Sequence, residues 1–185
     1  VYNKSLISQQ IQTYLPMLFS IIGLVMVIKS FVERKQSMLS WVLIIMSHFW
    51  IALAVAYNEQ FKFDEIHLYL SGIAVSGVIG IFCLRRLKFH ENESGLEKFQ
   101  GHSYRHPKIA LVFLIACLGV SGFPISPTFI GEDLIFTHIH PDQALLAFVI
   151  SISFIVDGLS LIRIYARIFL GPHAKSIYEM AYKSS

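Results

Sequence analysis

The chain has 185 residues, 55% of them hydrophobic and 15% charged, and the charges gather between long apolar blocks instead of marking one face of each helix. A water-soluble helical domain spreads Lys and Glu along its outer faces, whereas Ser37 to Tyr57 contains no Asp, Glu, Lys or Arg. The formal net charge of +3 is small and sits in connecting segments, so nucleic acid does not fit as a partner and anionic lipid headgroups do.

A helix that crosses the hydrocarbon core takes about 20 apolar residues, and several blocks reach that length. The first span is expected over residues 11–31, with Pro16 in its opening turns and Lys29 about one turn from its end. The chain begins with Val1, and this block is too long for a signal peptide and lacks its small-residue cleavage pattern, so the expectation is a fragment or a processed subunit. A charged turn, Glu33 to Gln36, leads to a second span over 37–57, with Trp41, Trp50 and Tyr57 as amphipathic aromatics. After a polar segment over 58–65 comes a third span, 66–84, where Gly72, Ser76 and Gly80 recur every fourth residue and allow close helix approach.

Residues 85–107 read as a hydrophilic loop with room for a short surface helix. A fourth apolar helix is expected over 108–123, ended at the membrane boundary by Pro124 and Pro127. Residues 124–140 read as a broken helix interrupted at Gly131-Glu132-Asp133, and 143–170 as the final span. Arg34, Lys35 and the long loop then share one side of the membrane, and the positive-inside rule taken alone makes it the cytoplasmic side. The expected fold is an all-α integral membrane protein over 1–185, a bundle of about five to six transmembrane segments including one discontinuous helix.

Ionisable groups at membrane depth are costly and usually face a protein interior or a water-filled path. Glu132 and Asp133 lie where Pro and Gly would free backbone groups to line such a path; the plainer alternative is a pair of helix-start charges at the surface. Asp157 stands in an otherwise uncharged run, open either to transport or to a structural pairing with a basic residue such as Arg163. His48, mid-span, is a proton-relay candidate because imidazole titrates near neutrality, with a satisfied core histidine as the alternative. His67 and Lys29 sit one turn from helix ends, where side chains commonly snorkel to water.

Cys83 and Cys117 lie in apolar stretches and read as small core residues. His102, His106, His138, His140 and His173 are scattered without HExxH or Cys/His spacing, so no metal site is expected. Nucleotide, flavin, haem and iron–sulfur motifs are missing too, so no cofactor is expected. Asn92-Glu93-Ser94 fits a glycosylation sequon, a tripeptide frequent by chance.

The run Gly101-His102-Ser103-Tyr104-Arg105-His106-Pro107, then Ile109 to Gly119, then Ser121-Gly122-Phe123-Pro124-Ile125-Ser126-Pro127-Thr128-Phe129-Ile130-Gly131-Glu132 resembles the antiporter-like subunits of respiratory complex I. Phe31 to His48 is similar to that family's charged turn and following helix, and Ile162 to Gly171 to the end of its penultimate core helix. The resemblance implies the second half of the family's core, one of two inverted repeats, with Glu132 as the terminal ionisable residue of a half-channel. The family's central Lys has no clear counterpart in 66–84, where His67, Ser71 and Ser76 stand.

The implied function is proton or cation translocation by one non-redox subunit of a hetero-oligomeric complex resembling NADH:quinone oxidoreductase. Its expected partners are other membrane subunits, the lipid bilayer, and protons or sodium ions. The expected location is a bacterial cytoplasmic membrane or the inner membrane of an energy-transducing organelle. The same family includes sodium/proton antiporters, hydrogenase subunits and membrane partners of inorganic-carbon uptake complexes. A structural membrane anchor without an ion path is the alternative from another class.

Overall fold

The computed structural model describes residues 9–57, 63–91, 95–124, 126–139 and 141–172. Among them are six α-helices and no strand: α1 (Gln9–Val32), α2 (Ser37–Ala56), α3 (Phe63–His90), α4 (Pro107–Val120), α5 (Pro127–His138) and α6 (Ala144–Phe169). Four of the six, α1, α2, α3 and α6, are long and apolar enough to cross a membrane. Helix α4, with 14 residues, is about 21 Å long and falls short of a bilayer core.

Several boundaries differ from the sequence reading. Helix α3 does not stop at Leu84 but runs on through Arg85, Arg86 and Lys88 to His90, so the connection begins at Glu91. Long basic side chains let a helix leave the apolar zone without ending. Helix α4 stops at Val120, and α5 then runs unbroken through Gly131, Glu132 and Asp133. The interruption expected inside 124–140 therefore lies ahead of Pro127, where the Ser126 hydroxyl accepts from the Phe129 amide and Pro127 occupies the first turn.

Helix α2 is central: α1 and α3 pack on it, α6 lies against α1 and α2, and α4 and α5 both lie along α3. The small-residue stripe of α3 serves a different neighbour at each step. A Cβ on Gly72 would strike Thr128 of α5, Ser76 sits against Gly119 of α4, and a Cβ on Gly80 would strike the Trp41 ring of α2. Trp41 Nε1 in turn donates to the Gly77 carbonyl at 3.0 Å. At the interface of α1 and α2, each of Ser30 and Ser40 donates its hydroxyl to the other's carbonyl, at 2.8 and 2.9 Å.

The contacts of α3 also fix depth. Gly119, one residue before the end of α4, lies beside Ser76, 13 residues or about 20 Å from the start of α3. The break is therefore well inside the bundle and not at its boundary, and α5 carries on along α3 past Gly72 and Tyr69.

The connection before α4 is tied to one end of the bundle, called the loop side below. The amide of buried Leu96 donates to the Arg34 carbonyl at 2.7 Å, and those of Gln100 and Gly101 to Arg167 and Leu170 at 2.9 and 3.1 Å. The expected sharing of one side by Arg34, Lys35 and this connection is what these bonds describe. A short 3-10 turn, His102–Tyr104, stands where a surface helix was allowed for. The polar stretch 58–62, the sequon at Asn92, and His140 and His173 lie outside the described residues.

Candidate functional site

Helix α6 buries one stripe, Ile150, Ser153, Asp157, Ser160, Leu161, Ile164 and Ile168, at helical spacing. Its outer residues, such as Ile155, Leu159 and Ile162, are exposed and suit lipid or another subunit. Asp157 is the fourteenth of 26 residues, about 20 Å from the helix start, and is 3% exposed. A carboxyl at that depth needs a partner.

That partner is His48, 1% exposed on α2, whose Nε2 lies 3.3 Å from Asp157 Oδ2. The Arg163 pairing allowed for in the sequence is not formed with Asp157; Arg163 is six residues on, about 9 Å along the axis. His48 Nδ1 lies 2.6 Å from the hydroxyl of Tyr69, itself 1% exposed on α3. With Asp157 ionised and the imidazole neutral, one tautomer satisfies both bonds: Tyr69 O–H donates to Nδ1, and Nε2–H donates to the carboxylate. Phe154 stacks on the imidazole with centroids 5.9 Å apart, and Phe136 of α5 meets Phe154 edge-on. These rings keep the pair dry on one flank.

Glu132 approaches from α5. The residue before it, Gly131, packs so closely on Tyr69 that a Cβ would collide with it. The Glu132 carboxyl folds back over Gly122, whose φ of +67° places it in the left-handed region that glycine adopts freely. From there Glu132 is within electrostatic reach of His48 and Asp157. Two buried oxygens nearby, Asp157 Oδ1 and Thr128 Oγ1, have no hydrogen-bond partner among the described residues, and groups of this kind are ones that water or a moving proton can serve.

Three helices thus bury Tyr69, His48 and Asp157 in one hydrogen-bonded cluster, and a fourth brings the half-buried Glu132 to its edge. Tyr69 was not singled out in the sequence, although it falls on the inward α3 stripe with Ile66, Ile73 and Gly80. A hydroxyl-bearing aromatic within such a stripe is the signal that could have found it.

The other expected residues lie elsewhere. Asp133 is exposed on α5, and its carbonyl accepts from Thr137. His67 is exposed on α3, and Lys29 is exposed near the loop-side end of α1. Arg163 donates to the carbonyls of Ser30 and Glu33, at 2.9 and 2.5 Å, and covers the Phe31 ring at 5.5 Å, so it closes the C-terminus of α1.

At the loop side, His106 Nε2 and Arg105 lie 3.3 and 3.4 Å from Glu91, and His90 stacks on His106. Burial pushes the Glu91 carboxyl up, and the bonds from His106 and Arg105 more than offset it, leaving it below the usual carboxylate range. Among the described residues no group of three or more His, Cys, Asp or Glu side chains is placed to hold a metal ion.

No family model matches the sequence. Subunit N 1 of NADH-quinone oxidoreductase from Streptomyces griseus is 29% identical over 87 residues, covering 47% of this chain and 18% of that protein. Subunit M from Rickettsia felis is 29% identical over 99 residues, covering 50% of this chain and 20% of that one. Subunit M from Rickettsia prowazekii is 29% identical over 133 residues, covering 64% and 27%. The chain therefore spans about a fifth to a quarter of the length of these relatives. Four long apolar helices and this likeness together make the chain an integral membrane protein, similar to the antiporter-like subunits M and N of NADH-quinone oxidoreductase.

Proposed function

We propose that the chain moves protons within a larger membrane complex of the NADH-quinone oxidoreductase type, with other membrane subunits as its partners and sodium as the alternative ion. The observation that carries this reading is His48, buried at mid-depth and bridging Tyr69 and Asp157 within hydrogen-bonding distance. The imidazole can accept a proton at one nitrogen and release one from the other. In the assigned state, the Tyr69 hydroxyl proton passes to Nδ1 and the Nε2 proton passes to Asp157. Tyr69 is then recharged from the Glu132 side, Asp157 passes its proton onward, and tautomer exchange returns the His48 proton from Nδ1 to Nε2, so each cycle shifts one proton from α5 towards α6.

We read α4 and α5 as the two halves of one span broken inside the membrane. The successive contacts of Gly119, Thr128 and Gly131 along α3 support this reading. A break at that depth frees backbone groups beside Glu132 and suits a hydrated entrance from the α5 side. Asp133, His67 and Lys29, being exposed, suit the approach to the membrane better than the buried transfer.

The test is Glu132→Gln in the complex reconstituted into vesicles, with proton flux followed by a pH-sensitive dye. Flux should fall to background while assembly is retained. Unchanged flux overturns the proposal, and lost assembly with normal flux per assembled complex makes the chain a structural anchor.

A further inference from the structure

Two adjoining concavities at the loop side have a use that proton transfer leaves unassigned. The first is a cleft of about 580 Å³ formed by the α1–α2 turn, the end of α3 and residues 95–100. Three ammonium groups, Lys35, Lys88 and Lys98, border it against one carboxylate, Glu97, and among the described residues none of the three makes a salt bridge. Ser37 and Met38 also line it, so the α2 N-terminus opens into it without a side-chain cap. The second is a groove of about 840 Å³ down the outer flank of α1, floored by Val25, Ile28 and Val32, bordered by Lys29, Arg34 and Glu33, and sharing Lys35 and Glu97 with the cleft.

A basic cleft at the end of spanning helices lies at headgroup level, and an apolar groove leading from it towards mid-membrane lies at acyl-chain level. Neither half alone selects a ligand; joined through Lys35, they match an amphiphile with an anionic head. We propose that this end of the bundle binds an acidic phospholipid, its phosphate held by Lys35, Lys88 and Lys98 and one acyl chain laid along Val25, Ile28 and Val32. An acidic peptide would fill the cleft but leave the α1 groove unused.

Full-length protein extracted in detergent provides the test, with bound phosphatidylglycerol and phosphatidylcholine measured by native mass spectrometry. Phosphatidylglycerol should be held in preference. The variant Lys35→Gln/Lys88→Gln/Lys98→Gln should weaken it on the order of a hundredfold, since each surface charge near a lipid phosphate is worth about a fivefold factor. The control Arg85→Gln/Arg86→Gln, also at the loop-side end of α3, should keep most of the binding.

Equal retention of phosphatidylcholine, or an equal loss in the control, overturns the proposal. Displacement of the lipid by inorganic phosphate would also overturn it and reveal a free-phosphate site. If the triple variant fails to fold, Lys88→Gln alone should still show a loss of about fivefold, and its absence would overturn the proposal as well.

Discussion

The buried centre and the loop-side end of this protein both tie helices together with polar groups, but with different chemistry at the acceptor. In the centre, side chain meets side chain: His48 joins Tyr69 to Asp157, with Glu132 close by. At the loop side, apart from the bonds of His106 and Arg105 to Glu91, side chain meets backbone: Arg163 and Ser40 donate to the Ser30 carbonyl, Ser30 to the Ser40 carbonyl, and Arg167 to the Glu97 carbonyl. A carbonyl does not change protonation state, whereas imidazole, carboxylate and phenol do. One region is suited to change charge during a cycle, and the other to hold helix ends in fixed positions.

The largest effect expected from this division is at Asp157. Asp157→Asn keeps a hydrogen-bonding oxygen for His48 Nε2–H and removes the proton acceptor. Proton flux should drop on the order of a hundredfold, with the melting temperature in detergent nearly unchanged. Retained flux would move Asp157 into the structural class.

Arg163→Met should behave in the opposite way. It leaves the carbonyls of Ser30 and Glu33 without their guanidinium donor and should cost about 1 kcal/mol of stability, read from thermal melts, while flux per folded molecule stays constant. A fall in flux at equal folding would extend the pathway to the loop side and erase the distinction between the two regions.

The smallest effect is expected at Glu91, a titratable acceptor at the loop side. Its folded carboxyl lies below its ordinary range, so its bonds to His106 and Arg105 stabilise the fold above the unfolded value, about pH 4.3, and fade as pH falls through the folded one. Glu91→Gln should therefore lower stability by less than about 1 kcal/mol near pH 6, and by less again as pH falls towards about 3. Melts at the two pH values check this, and a loss that persists undiminished at the lower pH would assign the bond a packing role.

Much of the fold was legible in the residues because a spanning helix declares itself by length and polarity alone. Residues 37–57 contain no charged group, and α2 occupies all but the last of them. Boundaries were less legible where basic residues continue a helix into the headgroup zone, as Arg85 to His90 do in α3. The break before α5 was visible as Pro124 and Pro127, but its depth was not, because depth depends on where Gly119 meets Ser76 on another helix.

The site divides in the same way. His48, Asp157 and Glu132 stood out because an ionisable residue within an apolar run is expensive wherever the run lies. Their convergence did not show, since 109 residues separate His48 from Asp157 and nothing in either run names the other. Arg163, equally conspicuous as a charge, turned out to face the end of α1, and Tyr69 was hidden among apolar neighbours.

The sequence by itself determined that this is a helical membrane protein and which ionisable residues stand in its apolar runs, because hydrophobic burial and the cost of buried charge act residue by residue. Tertiary structure alone decided that His48 meets Asp157 and Tyr69, that Glu132 folds back over Gly122, and that Arg163 ends a helix. Each of these outcomes depends on how helices pack, and packing is set by surfaces such as the glycines of α3, which act only when a second helix arrives.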